Sequence, residues 1–148
     1  MGHFGDYQNE IYQKGLQGIE PSLPVDFKTL EQRATAALSP SVLSYVQGGC
    51  GDENTQRRNV DAFGHWGIVP RMLVDARVRD LSVDVFGKRY ASPLMMAPIG
   101  VIGICAQDGH GDLATARAAG IAGVPMIAST LMNDPLEDVA KALGDGDA

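Results

Sequence analysis

The sequence predicts a parallel α/β fold, and two observations carry that prediction. Two short, nearly continuous apolar runs, Pro93 to Ile99 and Val124 to Ala128, are separated by a loop and a small-residue segment, ATARAAG, with helical character. Apolar runs of that length suit strands of a parallel sheet covered on both faces, and the residues between them can supply the crossover helix. Four residues after the second run comes NDPLEDVAKAL, which carries Pro135 in the first turn and Leu136, Val139, Ala140 and Leu143 on one helical face. The order is strand, helix, strand, helix, which is two βα units.

The preceding residues divide in order. Residues 1–24 are rich in Gly, Gln and Tyr, end in Pro21 and Pro24 and show no sustained period, so they read as an irregular N-terminal arm. Residues 25–148 form the rest. Asp26 is placed to cap a helix in which Phe27, Leu30, Ala34, Ala37 and Leu38 recur at helical spacing up to about Ser39. Pro40 suits the first turn of a second short helix, which Gly48 and Gly49 end. A third, polar helix is expected from about Asp52 to Phe63. Leu81, Val83 and Val85 alternate with Ser82 and Asp84, the pattern of a half-exposed strand, and Gly87-Lys88 is the expected turn of a hairpin spanning Leu81 to Ser92. Two βα units do not close a sheet, so further strands are expected from another polypeptide or from a larger protein of which this is the front.

Composition narrows the function classes. The 148 residues are 45% hydrophobic and 20% charged, an ordinary globular balance that allows a sizeable core. Lys and Arg number 12 against 18 Asp and Glu, a net charge of −6, which argues against a nucleic-acid partner and offers no basic patch to a membrane. No run approaches the roughly 20 apolar residues of a membrane span, and the first residues lack the basic and apolar regions of a signal peptide. A cytoplasmic protein is expected. Cys50 and Cys105 fit no metal spacing and are read as two reduced thiols.

Several motifs then occur in one order: SVLSYVQGGCGDE, RRNVDAFGHWGIVPRML, SVDVFGKRYASPLMMAPIGVIG, ATARAAG and VPMIASTL. Together they resemble the FMN-dependent α-hydroxy-acid oxidases and dehydrogenases, from about Gly5 onward, and MMAPIGVIGICAQDGHGD is most similar to the lactate 2-monooxygenase branch. The resemblance implies the N-terminal part of a (β/α)8 TIM barrel, a fold of about 250 residues, with preceding helices and a β-hairpin and the first two βα units only. It implies FMN as cofactor, with Pro98, Ile99 and Gly100 as flavin-facing backbone and Ser129 as a flavin-contacting hydroxyl. Ligand sites of such barrels lie at the C-terminal ends of the strands, and Gly100 allows a close approach of main chain to a flat ring. It also implies that Tyr45 hydrogen-bonds the carboxylate of a small 2-hydroxy-acid substrate such as L-lactate, and that the protein assembles as a homo-oligomer. In the family a histidine base takes the hydroxyl proton, hydride passes to FMN, and in the monooxygenase branch lactate and O2 give acetate, CO2 and water. The family's base histidine, arginines, lysine and phosphate-binding loops fall in later βα units, so this chain is expected to be inactive alone.

Competing readings attach to other residues. Gly109, Gly111 and Ala114 satisfy a loose dinucleotide-binding pattern, which would make a nicotinamide-binding module, but they begin ten positions after Ile99 rather than in the turn after a strand. Capping of a helix at Asp112 is the better account. His65 and His110 match no catalytic residue of the family and are read as structural or surface residues, Cys105 as a buried inert thiol, and Arg71, Arg77 and Arg79 as a solvated rim. A non-catalytic remnant that binds partners through exposed strand edges stays open.

Overall fold

The computed structural model describes residues 6–144 except Ala76 and Gln107. The chain divides into two compact units, Met1–Gly48 and Gly49–Ala148.

The first unit contains three helices: α1 (Asp6–Gly15), α2 (Phe27–Ala37) and α3 (Pro40–Gln47). The arm expected to be irregular therefore holds a helix. Its residues are mostly polar, and only Tyr7, Ile11 and Tyr12 recur at helical spacing; Lys14 and Glu10 pair one turn apart on its surface. α2 starts where its sequence says, with the Asp26 carboxylate accepting the Thr29 amide at 2.8 Å. This bond holds the Asp26 carboxyl below its usual value. α3 opens with Ser39 as cap and Pro40 in the first turn, and the helix ends at Gly48. Gln47 of α3 donates to the Thr35 hydroxyl of α2 at 3.1 Å, and Arg33 ties α2 to the Ser22 carbonyl at 3.0 Å.

The second unit begins with α4 (Asn54–Asp61), shorter than expected and continued by a 3-10 turn over Ala62–His65. The hairpin follows as β1 (Val83–Val85) and β2 (Lys88–Tyr90), with Val83 opposite Tyr90. Its turn is Phe86-Gly87 rather than Gly87-Lys88. Both residues have positive φ, 51° and 79°, as a two-residue hairpin turn matched to the strand twist requires.

The two apolar runs lie parallel, but their pairing is limited to one bridge, Met96 with Met126. The Met96 amide donates to the Pro125 carbonyl at 2.8 Å and the Ile127 amide to the Met96 carbonyl at 3.1 Å. Cover on both faces, the expectation for these runs, is not what the structure has: Leu94, Ile99 and Ile127 are exposed. The crossover is a 3-10 turn (Ile102–Cys105) and then α5 (Gly111–Ala122). Gly123, at φ 65°, ends α5, with the Val124 amide bonded back to the Ala119 carbonyl at 3.1 Å.

The core is small and sits where α5 meets α6 (Leu136–Leu143). Ala116, Ala119, Met126, Val139 and Leu143 are its buried apolar residues, with Met96, Leu113, Val124, Met132 and Ala142 packed against them. Of the predicted α6 face, Val139 and Leu143 are buried while Leu136 and Ala140 are exposed. Small residues set how closely the helices approach: a Cβ on Gly120 would collide with the Leu143 carbonyl.

Two outcomes follow. Gly120→Ala should destabilise the second unit by about 1–3 kcal/mol through overpacking against backbone, measured by urea unfolding, while Gly67→Ala, with open space at its Cβ, should leave the midpoint nearly unchanged. The depressed Asp26 carboxyl makes the α2 cap a contribution that is complete above the unfolded-chain value and lost as pH falls through the folded one. Wild type should therefore lose α2 helicity on acidification, and Asp26→Ala, already uncapped, should lose less of it, as read by circular dichroism between pH 5 and about pH 2.

Candidate functional site

The site starts from the ends of the two parallel segments. A strand's last residues leave their amides and carbonyls without a ladder partner, and glycine or proline there removes side chain or donor. Pro98, Ile99 and Gly100 end the first segment. Among the described residues, the amides of Ala97, Ile99 and Gly100 meet no acceptor, and the Ile99 side chain is about half exposed. Ser129 ends the second segment at the same level. Its hydroxyl oxygen accepts the Leu131 amide at 3.1 Å, which leaves the hydroxyl proton to donate elsewhere.

The two ends touch. A Cβ on Gly100 would lie 3.1 Å from the Leu131 Cβ and 3.5 Å from the Ser129 hydroxyl oxygen, so a side chain there would press against Leu131 of the second loop. Immediately beyond it, Val101 has φ 48°, a conformation costly for a β-branched residue. Its amide donates to the Leu131 carbonyl at 2.9 Å and its carbonyl accepts the Ile104 amide at 3.1 Å, which hold it there. Below these ends, Ala97, Ile99, Ile102, Asp112, Thr115, Met126, Ile127 and Ser129 line a cavity of about 10 Å³, room for about one water. Any larger ligand lies on the outer, exposed side of the segment ends.

A second constellation ties the loops together from beneath. Asp112, in the first turn of α5, is buried, and one of its oxygens accepts the amides of Asn133 at 2.8 Å and Asp134 at 3.3 Å. Asp134, buried just before α6, points the other way. One oxygen accepts the Leu113 amide of α5 at 3.4 Å and the other lies 2.6 Å from His110 Nδ1. Asp134 thus satisfies a first-turn amide of α5, and Asp112 satisfies two amides of the loop that leads into α6. The Asn133 side-chain oxygen adds a bond from the Gly103 amide at 3.3 Å. The hydrogen bond and charge of Asp134 hold the His110 imidazole above its ordinary value, helped by Asp108 and opposed by Arg117.

Of the residues singled out by sequence, Pro98, Ile99, Gly100 and Ser129 are brought together. Tyr45 lies on α3 in the first unit, with its ring exposed. Asp112 caps no helix, contrary to expectation: lying inside the first turn, its carboxylate bonds to the loop before α6, and the first-turn amide of Leu113 is met by Asp134 instead. The dinucleotide-like glycines are accounted for in the same way, since the helix start they precede already faces a carboxylate and Gly111 packs against the Ile102 backbone. Cys105 is exposed rather than buried, because it sits in the 3-10 turn outside the core. His65 is exposed, as are Arg71 and Arg79, and Arg77 pairs with Asp75 at 2.7 Å on the surface. Sequence reasoning missed Asp134. The signal was present in Asn133-Asp134-Pro135, a capping-type run at a helix start.

No helix among the described residues is long and apolar enough to cross a membrane, and no described group of three or more His, Cys, Asp or Glu could hold a metal ion. Comparison with known proteins adds the following. A family model described as FMN-dependent dehydrogenase matches residues 34–147. An FMN-dependent alpha-hydroxy acid dehydrogenase of Schizosaccharomyces pombe is 36% identical over 95% of the chain and 34% of its own length. An L-lactate oxidase of Lysinibacillus sphaericus is 39% identical over 90% of the chain and 34% of its own length. The crystal structure of a mandelate oxidase with (S)-4-hydroxymandelic acid superposes on 83% of the chain and 34% of that protein, with a TM-score of 0.73 and 33% identity. The chain spans about a third of the length of these relatives. Its helices, hairpin and two βα units are the front part of their (β/α)8 barrel. The chain belongs to the FMN-dependent dehydrogenase family, whose members use FMN to oxidise α-hydroxy acids.

Proposed function

We propose that this chain supplies one wall of the flavin site of an L-2-hydroxy-acid oxidoreductase, with L-lactate as substrate and the monooxygenase outcome, lactate and O2 to acetate, CO2 and water. The observation that carries the reading is the meeting of Pro98–Gly100 with Ser129 at the ends of two parallel segments, inside the residues matched by the family model. The residues present fit one face of a flavin. Unengaged amides at Ile99 and Gly100 are donors to carbonyl or nitrogen edges of the ring, the half-exposed Ile99 side chain offers apolar contact, and the Ser129 hydroxyl has a proton to give. Bound there, FMN supplies a two-electron acceptor for the substrate α-carbon.

The chain's own part in such a reaction is binding and orientation. Backbone amides that need no rearrangement to meet a ligand cost little entropy on binding. Tyr45, by its match to the family's tyrosine, donates its phenolic proton to the substrate carboxylate. Neither His65 nor His110 matches the family's base, and His110 is committed to Asp134. Lacking a base costs about two to four decades in rate, so the 148 residues alone should bind without turning over. Lactate is preferred to mandelate on the resemblance of MMAPIGVIGICAQDGHGD to the monooxygenase branch. A second reading, a non-catalytic protein that docks a partner, is favoured by the exposure of Ile99, Ile127 and Leu131 at the same segment ends.

Flavin fluorescence on titrating the 148-residue chain into FMN, followed by anaerobic L-lactate or mandelate, tests these readings. Saturable quenching without bleaching is expected, and Ser129→Ala should weaken binding about fivefold, the worth of one ordinary hydrogen bond. Quenching absent up to millimolar protein would sink the flavin-wall reading and favour the partner-docking one. Bleaching by lactate would show that a base is present after all, and bleaching by mandelate alone would reassign the substrate.

A further inference from the structure

We propose that Asp112 and Asp134 are the positioning residues of the flavin-facing wall, and that His110 is the latch that closes their clasp. The proposal rests on the flavin-wall reading for its purpose, but its geometry stands apart from it. Parallel segments joined by a crossover have no local turn to fix their relative height, and here the direct links are the Met96–Met126 bridge and, just past the ends, the Val101 amide on the Leu131 carbonyl. The loop that carries Leu131 must itself be held in place. Asp112 reaches from the first βα pair to the Asn133 and Asp134 amides of the second, and Asp134 reaches back to Leu113 and His110.

The clasp is connected to the wall by a short chain of bonds. From Asn133, the side-chain oxygen accepts the Gly103 amide, two residues after Val101. Two residues before Asn133, the Leu131 carbonyl accepts the Val101 amide, and the Leu131 amide is held by the Ser129 hydroxyl. Gly100 packs against this same Leu131. Removing Asp112 would leave two amides facing a buried space without acceptor, and the 129–134 segment would be released from α5.

His110 gives the clasp a pH dependence that a purely structural role in the core would not have. The groups facing it are Asp134 from the segment before α6, Asp108 of its own loop and Arg117 farther along α5; Asp112 is turned away toward Asn133. Its value is raised in the folded chain, first by the Asp134 hydrogen bond. A raised value means that the latch contributes fully below the ordinary histidine value near 6.5 and is lost as pH rises through the folded one.

Amide hydrogen exchange on the 15N-labelled 148-residue chain, without flavin, tests this. In Asp112→Ala the amides of Val101, Leu131, Asn133 and Asp134 should exchange about tenfold or more faster than in wild type, relative to Ala119 and Val139 in the helices. If Val101 and Leu131 keep their protection while Asn133 and Asp134 lose theirs, the clasp does not position the wall and the proposal fails. Should Asp112→Ala lose all protection, the exposed-ring variant His110→Gln decides. Wild type should lose protection at Leu113 and Leu131 as pH rises from 6 to 8.5, after correction for intrinsic exchange, and His110→Gln should be flat. A slope retained in His110→Gln, or absent from wild type, overturns the latch. Because no flavin is present, failure of the clasp and failure of the flavin-wall reading are separate results; where FMN binds, Asp112→Ala should also weaken it several-fold.

Discussion

The burial of two carboxylates against backbone amides is the constraint on which the second unit depends. An acidic side chain removed from water is expensive unless its oxygens are met by donors, and here they meet the Leu113 amide in the first turn of α5, the Asn133 and Asp134 amides of the loop before α6, and the His110 ring. The same four bonds solve two problems: Asp112 and Asp134 lose their hydration without loss of hydrogen bonding, and the start of α5 is tied to the loop that leads into α6. The geometry follows from placement. Asp112 lies inside the first turn of α5 and Asp134 just before Pro135, so each carboxylate can face only across the gap between the loops.

Much of the fold was legible because caps and breakers act locally. Asp26, Ser39-Pro40, Gly48 and Pro135 each specify a boundary through their own backbone chemistry, and each boundary is where the residue types put it. What was not legible depends on distant partners or on conformations a residue type disfavours. Phe86 and Val101 adopt positive φ, which nothing in a phenylalanine or valine announces; a turn matched to strand twist and a bond to Leu131 hold them there. α1 has three apolar-bodied residues in ten, Tyr7, Ile11 and Tyr12, so its helical spacing is short and easily passed over beside its Gln and Gly. The apolar runs read as strands covered on both faces, but composition records which side chains tolerate burial, not what lies over them, and Leu94 and Ile127 are left exposed in this chain.

The candidate site divides in the same way. Its flavin-facing members were identified by resemblance to a family, and the structure groups Gly100 with Ser129 through Leu131. Their individual chemistry was weak evidence: a glycine, a proline and a serine at segment ends are found throughout α/β proteins. The polar network below them was half seen. His110 and Asp112 were noticed one at a time, and a network becomes visible only when Asp134, more than twenty positions later, is brought beside both.

A wall built of main chain places unusual demands on what stands behind it. Side chains can adjust to a ligand by changing rotamer, but amides at Ile99 and Gly100 move only if the segment moves, so recognition by backbone requires that the segment's height be set independently of the ligand. Apolar packing is a limited means of setting it here, because among the described residues the buried core is five side chains, of which two are alanines and one, on the second segment itself, is the flexible Met126. Directional bonds are less forgiving of displacement than methionine contacts. The strained Val101 fits this division of labour: a left-handed residue directly after Gly100 turns the chain away from the segment end, and its amide bond to the Leu131 carbonyl joins that turn to the second loop. Precision at the exposed ends is thereby carried by polar groups lying beneath and beside them, and the apolar side chains at the surface are left available for contact.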